Sequence, residues 1–263
     1  MKTVTVNTLA ELKRSGEKFP VVTAYDSTFA RLAELAGIEI VLVGDSLGNV
    51  MLGHASTVPV TMADMLHHTA AVCRGSSKCF VVADLPFMAY ATPQQTMANS
   101  AQLMQAGAQM VKLEGGTWLA ESVAMLVERG IPVCGHLGLT PQSVNKFGGY
   151  RIQGRGANEA EQILQDALRL EEAGASLLVL ECVPQQLATR ITGALSIPVV
   201  GIGAGPDTDA QVLVLHDLLG ISARMPKFAR NFLADSGDIL GALRSYAQAV
   251  RDGSFPTAEH CFH

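Results

Sequence analysis

The sequence predicts a closed (β/α)₈ barrel, an α/β fold, from its length, its composition and a repeated alternation of segments. The chain has 263 residues, and such barrels commonly use about 250 residues in a single domain. Hydrophobic residues make up 48% of it but aromatic residues only 5%, so its apolar side chains are mostly aliphatic and suit close packing of helices on strands. Short aliphatic segments alternate with helical ones without a low-complexity linker, and residues 1–263 are therefore predicted to form one domain.

Three segments share one form, in which a Gly at the end of a helical stretch is followed by a nearly continuous apolar run. They begin at Ala36-Gly37, Ala106-Gly107 and Ala173-Gly174. The Gly is typical of a left-handed helix end, and the apolar run is typical of a parallel strand buried on both faces. An Ile-Pro-Val sequence follows the second and third segments at nearly the same spacing, at Ile131 and Ile197. Repeated β–helix–β units predict parallel strands joined by helical crossovers.

Eight strands are predicted, of which the eighth is the most weakly marked. They are Val21–Ala24, Ile40–Val43, Phe80–Ala83, Met110–Leu113, Val133–Gly135, Leu177–Leu180, Val199–Ile202 and Val212–Leu215. Helix starts lie between them. Thr61 and Thr92 stand in sequences that resemble a capping box, Pro93 occupies a first helical position, and Thr140-Pro141 marks another start. Eight β/α steps favour a closed barrel, and an open doubly wound sheet is the alternative.

Charge and cysteine content exclude several classes of protein. The net charge is −5 and there is no run of Lys or Arg, so nucleic-acid binding is not expected. The apolar runs are shorter than the roughly 20 residues of a membrane span, and the charged N-terminal segment lacks the apolar core of a signal peptide. Five Cys residues without CxxC spacing indicate reduced thiols in a cytoplasmic protein. Only 16% of residues are charged, which leaves an apolar surface suited to homo-oligomer contacts.

Ionisable residues stand at the carboxyl ends of five consecutive predicted strands, where parallel α/β folds place their active sites. Lys112 and Glu114 lie two residues apart and hence on one face of the fourth strand. In a barrel these strand ends converge on one cavity. The residues of this cluster are Asp45, Asp84, Lys112, Glu114, His136 and Glu181.

Crowded carboxylates repel one another unless a cation or a proton neutralises them. Asp45, Asp84 and Glu114 offer only oxygen ligands, which suit Mg²⁺. A metal held there can bind the carboxylate and keto oxygen of a 2-oxo acid and stabilise the enolate formed from it. Lys112 can counter the negative charge of the substrate, and Glu181 is then free to act as a base.

Each of these residues also has a structural interpretation when taken alone. Asp45 or Asp84 can cap the following helix. Lys112 and Glu114 can form a buried ion pair with each other, and His136 can be an interior histidine with satisfied hydrogen bonds. The shared location of the residues favours a functional site.

The motifs around these residues resemble those of the ketopantoate hydroxymethyltransferase family. The resemblance runs through nearly the whole chain. It is carried by Thr23-Ala24-Tyr25-Asp26, Val43-Gly44-Asp45-Ser46-Leu47-Gly48, Ala83-Asp84-Leu85-Pro86-Phe87, Val111-Lys112-Leu113-Glu114-Gly115-Gly116, Gly135-His136-Leu137-Gly138-Leu139-Thr140-Pro141-Gln142 and Leu180-Glu181-Cys182-Val183-Pro184.

The resemblance implies a barrel of the phosphoenolpyruvate mutase type that assembles as a homodecamer. It implies that 3-methyl-2-oxobutanoate and 5,10-methylenetetrahydrofolate give 2-dehydropantoate (ketopantoate) and tetrahydrofolate, the first step of pantothenate synthesis. Its residue roles follow the matching positions. Asp45, Asp84 and Glu114 form the Mg²⁺ site, Asp45, Ser46, Asp84 and Lys112 contact the oxo acid, Glu181 is the proton acceptor, and His136 lies near the transferred hydroxymethyl group.

Two other functions are compatible with the same barrel. One is a Mg²⁺-dependent lyase or mutase acting on 2-oxo acids, as in relatives of isocitrate lyase, although the Cys-containing loop of those enzymes is not evident here. The other is a non-catalytic barrel that binds a 2-oxo acid as a sensor. A binding protein has no need of a carboxylate outside the metal set, and Glu181 therefore favours an enzyme.

Overall fold

Eight parallel strands close into a barrel in the computed structural model, which describes residues 2–262. Each strand pairs with the next along the chain, and β1 pairs with β8. The closed barrel is therefore confirmed, and the open doubly wound sheet is excluded. The strands are β1 (Phe19–Thr23), β2 (Ile40–Val43), β3 (Phe80–Asp84), β4 (Met110–Glu114), β5 (Val133–Gly138), β6 (Leu177–Glu181), β7 (Val199–Ile202) and β8 (Ala210–Leu213).

Helices surround the barrel and connect most of its strands. They are α1 (Val6–Ser15), α2 (Ser27–Ala36), α3 (Leu47–Val50), α4 (Met62–Gly75), α5 (Pro93–Gln105), α6 (Ala120–Glu128), α7 (Val144–Phe147), α8 (Ala157–Glu172), α9 (Gln185–Ala194), α10 (Leu215–Leu218) and α11 (Ile239–Arg251). The expected alternation has one exception, because residues 203–209 return from β7 to β8 without a helix. Nowhere in residues 2–262 is a helix long and apolar enough to cross a membrane.

Helical segments begin at all three predicted starts. Thr61 and Asp64 form a reciprocal capping box at α4. Thr92 accepts a hydrogen bond from the backbone N–H of Gln95, and Pro93 occupies the first turn of α5. A helical segment also begins after Thr140, where a 3₁₀ turn, Pro141–Ser143, continues directly into α7, although the Thr140 side chain makes no cap.

Strand β8 begins two residues earlier than predicted and ends at Leu213. Leu215 instead starts α10, because its backbone N–H donates to the Thr23 hydroxyl at 3.0 Å. Several other strands run further than their apolar stretches. Asp84, Glu114 and Glu181 are themselves strand residues, since the backbone ladder continues where inward side chains become polar.

Alternate residues of each strand face two different cores. Even-numbered positions of β4 point into the barrel, where Met110 packs with the interior cluster, while Val111 and Leu113 pack against the helices. Leu9 of α1 belongs to the interior cluster. Helix α1 therefore packs against the barrel interior, and Lys13 of the same helix pairs with Asp209 just before β8, at the amino end of the strands.

Candidate active site

The strand register brings the predicted ionisable residues together at the carboxyl end of the barrel. Asp84 of β3 lies opposite Lys112 of β4, and Glu114 lies opposite His136 of β5. Glu181 ends β6 opposite a glycine of β5. Five consecutive strands, β2 to β6, thus supply the cluster that the sequence analysis predicted.

Lys112 and His136 lie among the carboxylates. The Lys112 Nζ is 2.9 Å from Asp84 Oδ1 and 4.0 Å from Glu114 Oε1. The imidazole of His136 stands between two acids, with Nδ1 3.3 Å from Glu114 Oε1 and Nε2 3.2 Å from Glu181 Oε2. Lys112 therefore does not pair with Glu114 alone, since Asp84 is its closer partner.

Burial and mutual charge shift the pKa values of the cluster. Burial and the neighbouring acids Glu114 and Asp84 raise the pKa of Asp45 well above its ordinary value. Burial disfavours the ammonium of Lys112, but the surrounding carboxylates outweigh it and raise the pKa. Burial and Lys112 oppose the charged form of His136, yet Glu114 and Glu181 raise its pKa to about 9. The acids outnumber their cations even with His136 protonated.

The three carboxylates of the predicted metal set share one hydrogen-bonding pattern. Asp84 Oδ2 accepts from the backbone N–H of Asp45 at 3.0 Å. Gln142 donates twice, from its side-chain Nε2 to Asp45 Oδ2 at 2.8 Å and from its backbone N–H to Glu114 Oε2 at 3.0 Å. The other oxygens of two of these acids face cations, since Asp84 Oδ1 lies 2.9 Å from Lys112 Nζ and Glu114 Oε1 lies 3.3 Å from His136 Nδ1. We call these three hydrogen bonds, from the backbone N–H of Asp45 and from Gln142, the frame. The frame holds one oxygen of each acid.

These residues fit a hard divalent cation, although they are not assembled around one. Within residues 2–262, no three His, Cys, Asp or Glu side chains converge at metal-coordinating spacing. Lys112 and His136 face Asp84 and Glu114, yet burial and these neighbouring acids still raise the pKa of Asp45, which indicates more negative charge than the two cations offset. Oxygen donors of this kind are the preferred ligands of Mg²⁺.

Ser46 lies beside the acids and is held by a residue that the sequence analysis did not assign. The Tyr25 hydroxyl is 2.9 Å from Ser46 Oγ, and Tyr25 itself is buried. Neither Asp45 nor Asp84 caps a helix with its side chain, because α3, after β2, begins after Ser46 without a side-chain cap, and α5, after β3, is capped by Thr92. The helix-cap interpretation of these two acids is therefore wrong.

Glu181 stands on a strained segment at the end of β6. The next residue, Cys182, has a φ of 48°, in the left-handed region that non-glycine residues rarely adopt. The Glu181 carbonyl accepts from the backbone N–H of Leu139 at 2.8 Å. Gly138 makes this approach possible, since a Cβ there would lie 2.3 Å from that carbonyl oxygen. The Glu181 side chain is 15% exposed, more than the other acids of the cluster.

Two aromatic residues near Glu114 were also missed by the sequence analysis. Tyr90 is buried, and its hydroxyl donates to Gln142 Oε1 at 2.5 Å. The ring of Trp118 stacks on Tyr90 with centroids 6.1 Å apart and is 62% exposed. The one signal for Trp118 in the sequence was its position shortly after Glu114. Gln142 ends the motif that begins at Gly135, but no role was predicted for it.

A separate cavity of about 370 Å³ lies away from this cluster. It is lined by Lys18, which precedes β1, Glu39, which precedes β2, and Arg251, which ends α11. These positions belong to the amino end of the strands, whereas barrel enzymes carry out their chemistry at the carboxyl end. Arg251 and Glu39 satisfy each other as an ion pair at 2.7 Å. The cavity is therefore not the candidate active site.

Comparison with known proteins gives one consistent family. A family model described as ketopantoate hydroxymethyltransferase matches residues 3–258. The chain is 60% identical over 263 residues to a 3-methyl-2-oxobutanoate hydroxymethyltransferase of Erwinia tasmaniensis, covering all of both chains. It is 59% identical over 264 residues to the enzyme of the same description from Escherichia coli O127:H6, again covering all of both.

Solved structures with a similar fold are more distant in sequence. A phosphonopyruvate hydrolase in complex with oxalate and Mg²⁺ matches with a TM-score of 0.63 at 16% identity, over 98% of this chain and 93% of that one. A 2,3-dimethylmalate lyase of the PEP mutase/isocitrate lyase superfamily matches with a TM-score of 0.58 at 16% identity, over 79% and 80% of the two chains. These likenesses show a barrel of the phosphoenolpyruvate mutase type.

Proposed function

The chain belongs to the ketopantoate hydroxymethyltransferase family, and we propose how its own side chains carry out the reaction. It is a hydroxymethyltransferase that converts 3-methyl-2-oxobutanoate to ketopantoate, the first step of pantothenate synthesis. The observation that carries the residue assignment is the convergence of four carboxylates, a lysine and a histidine at the carboxyl end of the barrel. The one-carbon donor in this proposal is 5,10-methylenetetrahydrofolate, and water supplies the hydroxyl oxygen of the product.

Asp45, Asp84 and Glu114 would hold a Mg²⁺ ion through the oxygens that the frame leaves free. The excess of buried carboxylates over the cations Lys112 and His136 supports this assignment. When bound, the cation would offset the excess negative charge and polarise the keto group of the substrate. A lyase or mutase activity is the alternative function for such a site. The family match across the chain favours the transferase.

Lys112 and Ser46 would bind and orient the oxo acid. The ammonium of Lys112 is almost completely buried, so its attraction for a substrate carboxylate is only weakly screened by solvent. The Ser46 hydroxyl is oriented by Tyr25 and can donate to a substrate oxygen. Asp45 and Asp84 lie next to both groups, so the substrate would also lie against them.

Glu181 would remove the proton from C3 of 3-methyl-2-oxobutanoate. The proton would pass to the carboxylate, and the electron pair of the broken C–H bond would form the new C–C bond to the methylene carbon of the folate. That carbon would lose its two bonds to folate nitrogens, one to the new C–C bond and one to the hydroxyl from water, and the proton from C3 and the second proton of the water would end on the two nitrogens of tetrahydrofolate. Glu181 is free for this role because it stands outside the metal set and is the most exposed of the acids. His136 contacts Glu181 and would lie near the transferred hydroxymethyl group, where its Nε2 can donate a hydrogen bond.

We also propose that the chain assembles into a decamer and works in the cytoplasm, as the family resemblance implies. Large apolar side chains remain exposed on the single chain and support subunit contacts. Leu35 and Ile221 are 53% and 60% exposed. Analytical ultracentrifugation would test this assembly directly.

Deuterium exchange at C3 tests the proposed chemistry. The protein, stripped with a chelator, is incubated with 3-methyl-2-oxobutanoate in deuterated water, with and without Mg²⁺ and with and without the folate. We expect exchange only with Mg²⁺, and ketopantoate only when the folate is also present. Full turnover by the stripped protein would contradict the metal assignment. Turnover with Mg²⁺ and oxo acid but no folate would instead favour a lyase or mutase.

A further inference from the structure

Gln142 is a buried amide that contacts two of the proposed metal ligands and has no role in the function proposed above. Its side chain belongs to the 3₁₀ turn after β5 and is almost fully buried. We propose that Gln142 is a positioning residue of the metal site, which holds one oxygen of Asp45 and one of Glu114 so that the other oxygen of each is left for the ion. This inference rests on the proposed Mg²⁺ site.

Both hydrogens of the side-chain amide are used. Nε2 donates to Asp45 Oδ2 at 2.8 Å and to the backbone carbonyl of Leu85 at 2.9 Å. Leu85 follows Asp84 directly, so the amide joins the ends of β2 and β3. The backbone N–H of Gln142 adds a bond to Glu114 Oε2 at 3.0 Å, which extends the frame to β4.

Tyr90 determines which way the amide points. Its hydroxyl donates to Gln142 Oε1 at 2.5 Å and also lies 3.3 Å from the Glu114 carbonyl oxygen. If the amide were turned over, its oxygen would face Asp45 Oδ2 and the Leu85 carbonyl, and three acceptors would meet without a hydrogen. Only the observed orientation satisfies all of these groups. Tyr90 therefore acts on the site through Gln142.

The orientation of the Asp45 and Glu114 carboxylates is therefore fixed before an ion binds. A carboxylate that rotates freely loses conformational entropy when it binds a metal, whereas a carboxylate that is already fixed loses little. Residues that orient metal ligands typically contribute 10–100-fold to metal affinity. Loss of the Gln142 amide should therefore weaken the affinity for the ion, while the Glu114 contact survives because it uses the backbone.

Gln211 provides a matched control. It is a second buried glutamine of the barrel, and its Nε2 donates to the Gly205 carbonyl and the Thr208 hydroxyl, both at 2.9 Å. It contacts no carboxylate of the site. Replacing Gln211 with Leu thus removes a buried amide of the same size without touching the proposed ligands.

The test measures binding of Mn²⁺ by electron paramagnetic resonance and of Mg²⁺ by calorimetry, in the absence of substrate. We expect Gln142→Leu to raise the Kd for both ions by roughly 10–100-fold, Tyr90→Phe to raise it less and in the same direction, and Gln211→Leu to leave it within about twofold. Raising the Mg²⁺ concentration should restore the kcat of Gln142→Leu, a rescue that a merely structural role would not produce.

Wild-type affinity in Gln142→Leu would overturn the inference and leave the metal site standing. Absence of binding by the wild-type protein would overturn the metal site together with the inference. If Gln142→Leu fails to fold, Tyr90→Phe decides the question, because it keeps the ring and removes only the hydroxyl that orients the amide. Unchanged Kd values in a folded Tyr90→Phe would then count against the inference.

Discussion

The Nε2 atom of His136 lies 3.2 Å from Oε2 of Glu181, the carboxylate proposed to take the substrate proton. On its other side the same ring faces Glu114. The imidazole therefore links the proposed base to the proposed metal set. Because these two acids raise the pKa of His136 to about 9, the ring carries a positive charge between them at neutral pH.

The first prediction concerns Glu181 as the base. Glu181→Gln keeps the shape of the side chain and removes its basicity, so exchange of the C3 hydrogen and product formation should both fall by roughly 10²–10⁴-fold. Binding of Mg²⁺ and oxo acid should stay within a few-fold of the wild type. Nuclear magnetic resonance of the substrate in deuterated water measures the exchange, and Glu128→Gln, at an exposed glutamate, is the control. Exchange that persists at the wild-type rate would transfer the role of base to His136.

The second prediction concerns the charge balance around Lys112. Lys112→Met leaves Asp84, Glu114 and Asp45 buried without their cation, and breaking a buried pair in this way typically costs about 3–5 kcal/mol. The unfolding temperature of the metal-free protein should fall, and Mg²⁺ should raise it by more than in the wild type. Oxo-acid binding should weaken because the substrate carboxylate loses its counter-charge.

Thermal unfolding with and without MgCl₂ measures both effects. Lys13→Met is the matched control, since Lys13 also forms a largely buried pair, 2.8 Å from Asp209, but at the amino end of the barrel. A Mg²⁺-induced increase equal in Lys112→Met and in Lys13→Met would show that Lys112 does not compensate the proposed ligands.

The third prediction concerns the backbone at Cys182. Its φ of 48° costs a residue with a Cβ about 1–2 kcal/mol relative to glycine. Cys182→Gly should therefore be more stable than Cys182→Ala by about 1 kcal/mol, measured by urea unfolding. Cys134 lies in β5 and is fully buried, and there we expect the opposite order, with Ala more stable than Gly by about 0.5–1 kcal/mol. The same order at both sites would refute strain at Cys182.

The fourth prediction concerns pH and His216. Its Nδ1 has no hydrogen-bond partner within the described residues, its ring lies 5.8 Å from that of Tyr25, and burial lowers its pKa below 6.5. The folded protein resists protonation of this ring more than the unfolded chain does. Its contribution to stability is therefore present above pH 6.5 and is lost as the pH falls through the lowered pKa.

Unfolding temperatures between pH 7.5 and pH 5 measure this effect. We expect the wild type to lose more stability on acidification than His216→Gln, which cannot be protonated. The exposed His67 provides the control, since His67→Gln should follow the wild-type profile. Parallel profiles for the wild type and His216→Gln would show that another group causes the acid sensitivity.

The strands and the ionisable cluster could be predicted from the sequence because both depend on local pattern and strand order. β2 and β7 have the predicted bounds, since apolar runs bounded by glycine or polar residues mark them clearly. β8 was displaced because the polar side chain of Gln211 interrupts its apolar run. The absence of a helix in residues 203–209, between β7 and β8, was not predicted either. The spacing of the strands does not show the conformation of the segment that connects them.

The contacts that organise the site were less accessible to sequence reasoning. Gln142 approaches Asp45 from nearly a hundred residues away, and no spacing rule connects the two positions. The closer pairing of Lys112 with Asp84 rather than Glu114 depends on the register of β3 and β4. Register is a tertiary property, since it depends on how neighbouring strands pack and not on either strand alone.

The uneven distribution of charge around the barrel has a consequence for how a substrate sits in it. β2 to β6 or the residues that follow them carry every member of the cluster, whereas β7, β8 and β1 (VVGI, AQVL and FPVVT) contain no ionisable residue. The ionisable residues of the cluster therefore come from one side of the barrel, and the strands of the other side contribute none. 3-Methyl-2-oxobutanoate has the same two-sided character, with a carboxylate at one end and a branched alkyl group at the other. We therefore expect the carboxylate of the substrate to lie toward β2 to β6 and its branched alkyl group toward β7, β8 and β1.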